Sequence, residues 1–442
     1  MNSFIPSVSL RTATVAALLT VPGLFGCSVD GDEVSVGRTA DAINLDRCHP
    51  TNLGCSGVAA KSLEPQVGEM GTCAVGSELA PTGYPLPALP NGYRDMIVGH
   101  GASAASPDGT FWYLTVGYPV VPTGGLPMHL FLFQIGQDGQ ELGHAELPIS
   151  GSYSVQSSLV VDAEGTVTVA LNDGTIRFHR YVSGAKLLAV SGNLMYLPNQ
   201  LVAADSSTHY VVAGDSPSFE NQGILSRIRI DGALERSNNQ VPDLNGGSGL
   251  MTVTSHLEAG YSLLAKRPGT EGFYRILRYD RELAPVWALQ LPSPMLPLAR
   301  PAMVSDSQGR LVVAELFGDS RPSAVGLFGF DAGGERLFYF EFSTAQEPAN
   351  LLMTAAREAP IVWVNIDALD VTKSNSPAVD AGHAATRANY LVKIDAAGAT
   401  CQAHSYPALD ANSKNDVLVN PEGAVFLLTD RSLVRFDEVA GE

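Results

Sequence analysis

Two groups of side chains along this 442-residue chain have types and spacing that could do chemistry. The first is a series of polar residues at or just before apolar, strand-like runs: Arg94, Gln156, Gln200, Ser248, Arg300, Asn350 and Asn415. His100 stands at the end of the first such run. Histidine changes charge near neutral pH, so His100 could serve as an acid or base, with Arg94 and Arg300 beside it. The second group is the segment 366–388, with Asp367, Asp370, Lys373, Asp380, His383 and Arg387. Its carboxylates have the chemistry to hold Ca²⁺, but their spacing matches no EF-hand, and the segment reads first as a solvated acidic loop. Asp215, Asp319 and Arg321 occupy comparable places in other long connections.

Several tempting motifs dissolve on inspection. Gly214-Asp215-Ser216 resembles the opening of a GDSL-type hydrolase motif, but Gly318-Asp319-Ser320 sits at the same place in a later unit, and no helix follows either. A position that recurs in this way points to turn chemistry. Ser106-Pro107-Asp108-Gly109 is similar to a sialidase Asp-box, but its Asp and Gly are adjacent where that motif separates them by one residue. No G-x-x-x-x-G-K-[ST] phosphate loop occurs. Three tryptophans, Trp112, Trp287 and Trp363, are too few for the per-blade Trp of quinone-dependent propellers. No cofactor is expected, and Ca²⁺ is the one ion weighed. Lys+Arg total 27 against Asp+Glu 45, a net charge of −18. Such a surface repels phosphates, so nucleic acid is not an expected partner. With 45% hydrophobic and 16% charged residues, the chain is neither collagen-like, coiled-coil nor wholly disordered.

The N-terminus carries an address. Arg11 is the only charged side chain before Asp30, and residues 12–26 form an apolar run of signal-peptide length, short of the ~18 residues a spanning helix needs. The run ends in Leu24-Phe25-Gly26-Cys27, which resembles a bacterial lipobox, with Phe25 departing from the usual small residue. The resemblance implies a lipoprotein signal at 1–26 and lipid on Cys27. With Ser28 next, it implies sorting to the outer membrane, the lipid being the only membrane contact. Ordinary secretory cleavage with an incidental cysteine is the alternative. Residues 27–62 are polar and small and read as a flexible tether. Four further cysteines, Cys48, Cys55, Cys73 and Cys401, fit two disulfides in an exported protein. Three pairings are open. Cys48–Cys55, closing a small loop, and Cys73–Cys401, joining the ends of the domain, are favoured.

From residue 95 onward one unit recurs. Each unit has an apolar strand, a tight turn such as Asp162-Ala163-Glu164-Gly165 or Asp306-Ser307-Gln308-Gly309, a second strand, a variable connection, a third strand, a Gly/Asp turn and a fourth strand. Aspartate bonds the backbone two residues on, and glycine accepts positive φ, so both suit such turns. Seven first turns and seven second turns interleave, the last second turn being Asp437-Glu438. Strands such as Thr166-Val167-Thr168-Val169-Ala170-Leu171 are β-rich, and no capped amphipathic helix stands out. The repeat resembles a seven-bladed β-propeller of the NHL/WD40-like class over residues 63–442, without the Gly-His and Trp-Asp signature of WD40 repeats. The fold class expected is all-β, in four-stranded antiparallel blades. A six- or eight-bladed ring, or two sandwiches, remain open. The last unit lacks a fourth strand, which a strand near Thr72-Cys73-Ala74-Val75 would supply, removing an open edge.

In such a ring the second connections, 117–127, 214–223, 318–324 and 366–388, share a face with the inter-blade loops and the channel mouth. Variation concentrated there points to binding. The expectation is a non-catalytic envelope module that engages a protein or polysaccharide through Asp367, Asp370, Lys373, His383, Arg387, Asp215, Asp319 and Arg321. The rival is an extracytoplasmic lyase or glycoside hydrolase using His100, Arg94 and Arg300 at the mouth. The anchor is directly testable. Cys27→Ala should abolish palmitate labelling and release the protein from membranes, and equal labelling of both forms would end the lipoprotein reading.

Overall fold

The computed structural model describes Ala60–Ser62 and residues 73–438, apart from most connections between strands: 121–128, 148–155, 173–175, 194–200, 216–221, 243–249, 257–259, 267–272, 295–300, 318–323, 344–350, 370–387, 410–413 and positions 207, 358, 398 and 408. Three short strands come first, β1 (Ala60–Ser62), β2 (Cys73–Val75) and β3 (Leu79–Pro85). Blade one is β4 (Tyr93–Ala105), β5 (Phe111–Pro119), β6 (His129–Ile135) and β7 (Glu141–Leu147). Blade two is β8 (Gln156–Val161), β9 (Val167–Asn172), β10 (Ile176–Val182) and β11 (Lys186–Asn193). Blade three is β12 (Leu201–Ser206), β13 (His209–Asp215), β14 (Gln222–Arg229) and β15 (Leu234–Pro242). Blade four is β16 (Leu250–Ser255), β17 (Tyr261–Lys266), β18 (Phe273–Tyr279) and β19 (Pro285–Pro294). Blade five is β20 (Ala302–Ser305), β21 (Leu311–Phe317), β22 (Ala324–Phe330) and β23 (Arg336–Ser343). Blade six is β24 (Leu352–Ala355), β25 (Ile361–Leu369), β26 (Ala388–Asp395) and β27 (Thr400–Tyr406). Blade seven takes β28 (Lys414–Val419), β29 (Val425–Thr429) and β30 (Ser432–Glu438), with β3 as its fourth strand. This is a seven-bladed β-propeller, and no helix occurs among the described residues.

The first strands form the inner wall: β4, β8, β12, β16, β20, β24 and β28 each touch the next, and β28 returns to β4. The core lies between blades, because each sheet buries both faces. Along β29, Leu427 packs toward blade six, while Phe426 and Leu428 pack toward blade one. That double burial is why the middle strands read as unbroken apolar runs rather than strict alternation. Seven hydrophobic clusters fill the seven seams, including one between blades seven and one, where the Phe111 and Phe426 rings meet tilted at 4.6 Å.

The first turns behave as their sequence requires. The Asp162 Oδ1 accepts bonds from the Glu164 and Thr166 amides at 3.1 and 2.8 Å, and Asp306 repeats this with Gln308 and Arg310, both at 2.9 Å. Gly165 (φ 81°) and Gly309 (φ 76°) take the left-handed position that closes each turn.

The N-terminal strands differ from expectation in register. Closure is made by β3, antiparallel to β30 from Leu79 opposite Glu438 to Pro85 opposite Ser432. Cys73–Val75 instead lies on blade six, parallel to β27, with Cys73 opposite Cys401 and disulfide-bonded to it. Asp437-Glu438 is therefore strand, not a seventh second turn, because both residues pair with β3, opposite Ala80 and Leu79. Ala60–Ser62, which the sequence places in the tether, pairs in parallel with β19 of blade four. Cys48 and Cys55 lie outside the described residues.

Deleting Leu79–Pro85 strips β30 of its partner and opens the ring. Its melting temperature should fall by several degrees or more, whereas deleting residues 28–38 should leave it unchanged. Equal melting of the two would show that β3 does not close the fold.

Candidate functional site

The two faces of the ring are built differently. The hairpins between first and second strands occupy one face, and their polar groups are spent on each other. His256, at the start of blade four's hairpin, lies 2.9 Å from the Gly309 carbonyl of blade five through Nδ1 and 2.8 Å from Ser262 Oγ through Nε2. Burial, aided by the Arg278 charge, pulls its pKa down to about 3, so it stays neutral and structural. Arg357, in blade six's hairpin, donates to the Val161 and Asp162 carbonyls of blade two at 3.2 and 2.7 Å. Blades two and six are not neighbours, so this guanidinium spans the ring at that end.

The opposite face receives the second connections and the inter-blade connections. Three strand ends of blade one converge there. Tyr93 opens β4 behind the turn in which its amide bonds the Pro90 carbonyl, His129 opens β6, and Glu146 lies near the end of β7. The Tyr93 Oη is 3.2 Å from His129 Nδ1, which is 2.5 Å from Glu146 Oε1. The Tyr93 ring packs against His129 and Phe131 at 4.8 and 4.9 Å. His129 and Glu146 side chains are 29% and 48% exposed. Partial burial, then the Glu146 charge, raise the Tyr93 pKa, so its hydroxyl keeps its proton. With Nδ1–H turned to Glu146, His129 presents Nε2 as acceptor or base. The cluster can accept, donate or pair with a ligand's polar groups from the edge of this face.

A third polar feature lies in the wall. Asp416 sits on β28, and its Oδ2 accepts a 2.6 Å bond from Ser103 Oγ on β4, across the seam between blades seven and one. The Val417 amide bonds its Oδ1 at 2.9 Å. Burial outweighs both bonds and pushes the Asp416 pKa up to about 7.

The residues expected from sequence distribute as follows. β25 runs on to Leu369 and β26 starts at Ala388, so the longest connection is 370–387 and Asp367 belongs to a strand. Asp370, Lys373, Asp380, His383, Arg387, Asp319, Arg321 and Arg300 lie outside the described residues, as does Cys27. Asp215 ends β13, Arg94 and Gln156 begin innermost strands, and Asn415 lies in β28, all at the end where the long connections emerge. His100 is not at a strand end. It falls between Val98 and Ser103, where five steps along β4 oppose two along β5, inside a bulge. Among the described residues no group of three His, Cys, Asp or Glu is placed to hold a metal ion. Tyr93, His129 and Glu146 escaped sequence reading because they come from three strands 17 and 36 residues apart. Their one legible signal was position at strand termini. Asp416 was legible only as an isolated carboxylate in an apolar strand beside Asn415.

No protein-family model and no curated protein matches the chain. Among solved structures, a streptogramin B lyase matches at 13% identity over 81% of this chain and 97% of its own, with a TM-score of 0.46. A Dos1 propeller matches at 10% identity over 81% and 96%, TM-score 0.49, and YCF48 bound to D1 peptide at 13% over 84% and 100%, TM-score 0.43. At this level the likeness carries no functional argument, and the architecture rests on the strand order.

Asp416 gives the fold a pH dependence of defined sign. Its folded pKa lies above the unfolded value, so between about pH 4 and 7 the folded state holds the extra proton. Its contribution is complete at the acid end and is lost as pH rises through about 7. Asp416→Asn removes the titration. The stability of the variant relative to wild type should therefore rise across that window by an amount on the order of a few kcal/mol. Parallel stability curves from pH 4 to 8 would refute the assignment.

Proposed function

We propose that this protein is a lipid-anchored, exported binding module of the cell envelope. It engages a protein or glycan through the face carrying the second and inter-blade connections. The observation that carries the choice of face is Arg357, which crosses the ring at the other end and bonds two opposing carbonyls there. On that surface His256 bonds to Gly309 and Ser262, which ties the hairpins of blades four and five together. The long-connection face has the contrary character, with variable segments and the half-exposed His129–Glu146 pair. Cys27, at the end of the apolar leader, supplies the anchor and the envelope location in this reading. The second reading, an envelope lyase or glycoside hydrolase, draws its support from the Tyr93–His129–Glu146 cluster, which offers an acid–base set of the right types.

The readings separate on two variants. Replacing residues 370–387 with a short Gly-Ser linker leaves every strand of the ring in place, so folding should be retained. Capture of the partner from envelope extract, or of glycans on an array, should be lost. His129→Ala should leave capture within a few fold. If the loop replacement captures normally and His129→Ala abolishes a bond-cleaving activity, the enzyme reading replaces the binding module.

A further inference from the structure

The outer edges of the blades are unequal. The exposed edge strand β7 carries Glu141, His144 and Glu146, β15 carries Glu235 and Arg236, and β23 carries Arg336 and Glu341. Charge on an edge guards against pairing with a further strand. β11 has only Lys186 at its start, followed by Leu187-Leu188-Ala189-Val190, with Leu187, Leu188 and Val190 exposed at 57%, 53% and 53%. Two other outer edges are taken by the chain itself: β1 lies parallel on β19 and β2 lies parallel on β27. They follow one another along the rim in chain order, blade four, then blade six, before β3 enters blade seven.

Ten residues, 63–72, separate β1 on blade four from β2 on blade six, and the charged edge of blade five lies between those two blades. The same step taken upstream from β1 passes the charged edge of blade three and ends on blade two, at β11. Upstream lies Ala42-Ile43-Asn44-Leu45-Asp46-Arg47, a period-two segment with Ile43 and Leu45 on one face. Twelve residues, 48–59, separate it from β1, two more than the step past blade five uses. With Cys48 and Cys55 unjoined, in place of the pairing favoured from sequence, twelve residues extend to roughly 40 Å.

We propose that residues 42–47 add to β11 as a parallel fifth strand. The N-terminal segment would then belt blades two, four and six before closing blade seven. The bulge in β11 at Leu188 is no obstacle. β19 has the same bulge at Val286, and β1 pairs just beyond it, beginning at Ala288. A second copy is the less favoured occupant, because two chains of net charge −18 repel. A segment on a short tether competes at an effective concentration in about the mM range.

Hydrogen exchange on the full-length protein tests this at the amides of residues 187–192. Wild type should protect them more than residues 234–238 of the β15 edge. Ile43→Asp with Leu45→Asp should speed their exchange at least tenfold, with the seams between blades unchanged as the control for folding. Leu188→Lys with Val190→Lys, made on the other partner, should do the same. A synthetic peptide of residues 40–49, with Cys48→Ser, should restore protection to the Ile43→Asp/Leu45→Asp protein. Equal exchange in wild type and variant overturns the proposal. Protection that survives the double substitution and grows with protein concentration also overturns it, and assigns the edge to a second copy.

Discussion

The whole molecule depends on burying both faces of every blade at once. A four-stranded sheet of this composition cannot stand alone in water, since its middle strands are apolar on both sides. Each blade therefore needs two neighbours, and seven blades satisfy that demand only when the last meets the first. The aromatic seam of Phe111, Tyr113, Phe131 and Phe133 against Leu418, Phe426 and Leu428 is where the demand is met. β3 supplies the strand that makes blade seven complete enough to present that surface. Closure is thus both a packing event and a pairing event, and one N-terminal strand serves it.

The Cys73–Cys401 bond fits this logic. It joins residues 328 positions apart and pins β2 to blade six just before the chain enters blade seven. A cross-link over so long a loop removes much of the freedom of the unfolded chain, in the chain-entropy account of disulfides. It also holds the closing strand beside the edge it must find. Parallel addition at blades four and six shows that the rim accepts extended segments at two of its outer edges.

The same ring gives its two faces different polar chemistry. On the hairpin face, His256 bonds to Gly309 and Ser262 and Arg357 reaches across to blade two, so polar groups are consumed by structure. On the other face blade one sets Tyr93, His129 and Glu146 together near the surface.

Much of the architecture was legible in the residues. The recurring Asp/Gly turns are local devices, in which Asp162 and Asp306 bond amides two and four residues on, so their spacing marked the blades. The need for a further strand beside the final unit also followed from counting, because three strands of a four-stranded repeat leave one edge unpaired. Tertiary structure alone decided which N-terminal strand filled the gap. Cys73–Val75 and Leu79–Pro85 are both short, mixed segments, and only the disulfide partner and the free edge of β30 tell them apart. The same holds for Asp416 with Ser103, 313 residues away, and for Arg357 with blade two. Local turn chemistry repeats with the sequence and can be read from it. Contacts across a closed ring depend on which blades the closure brings face to face, and that is set by the packing of the whole.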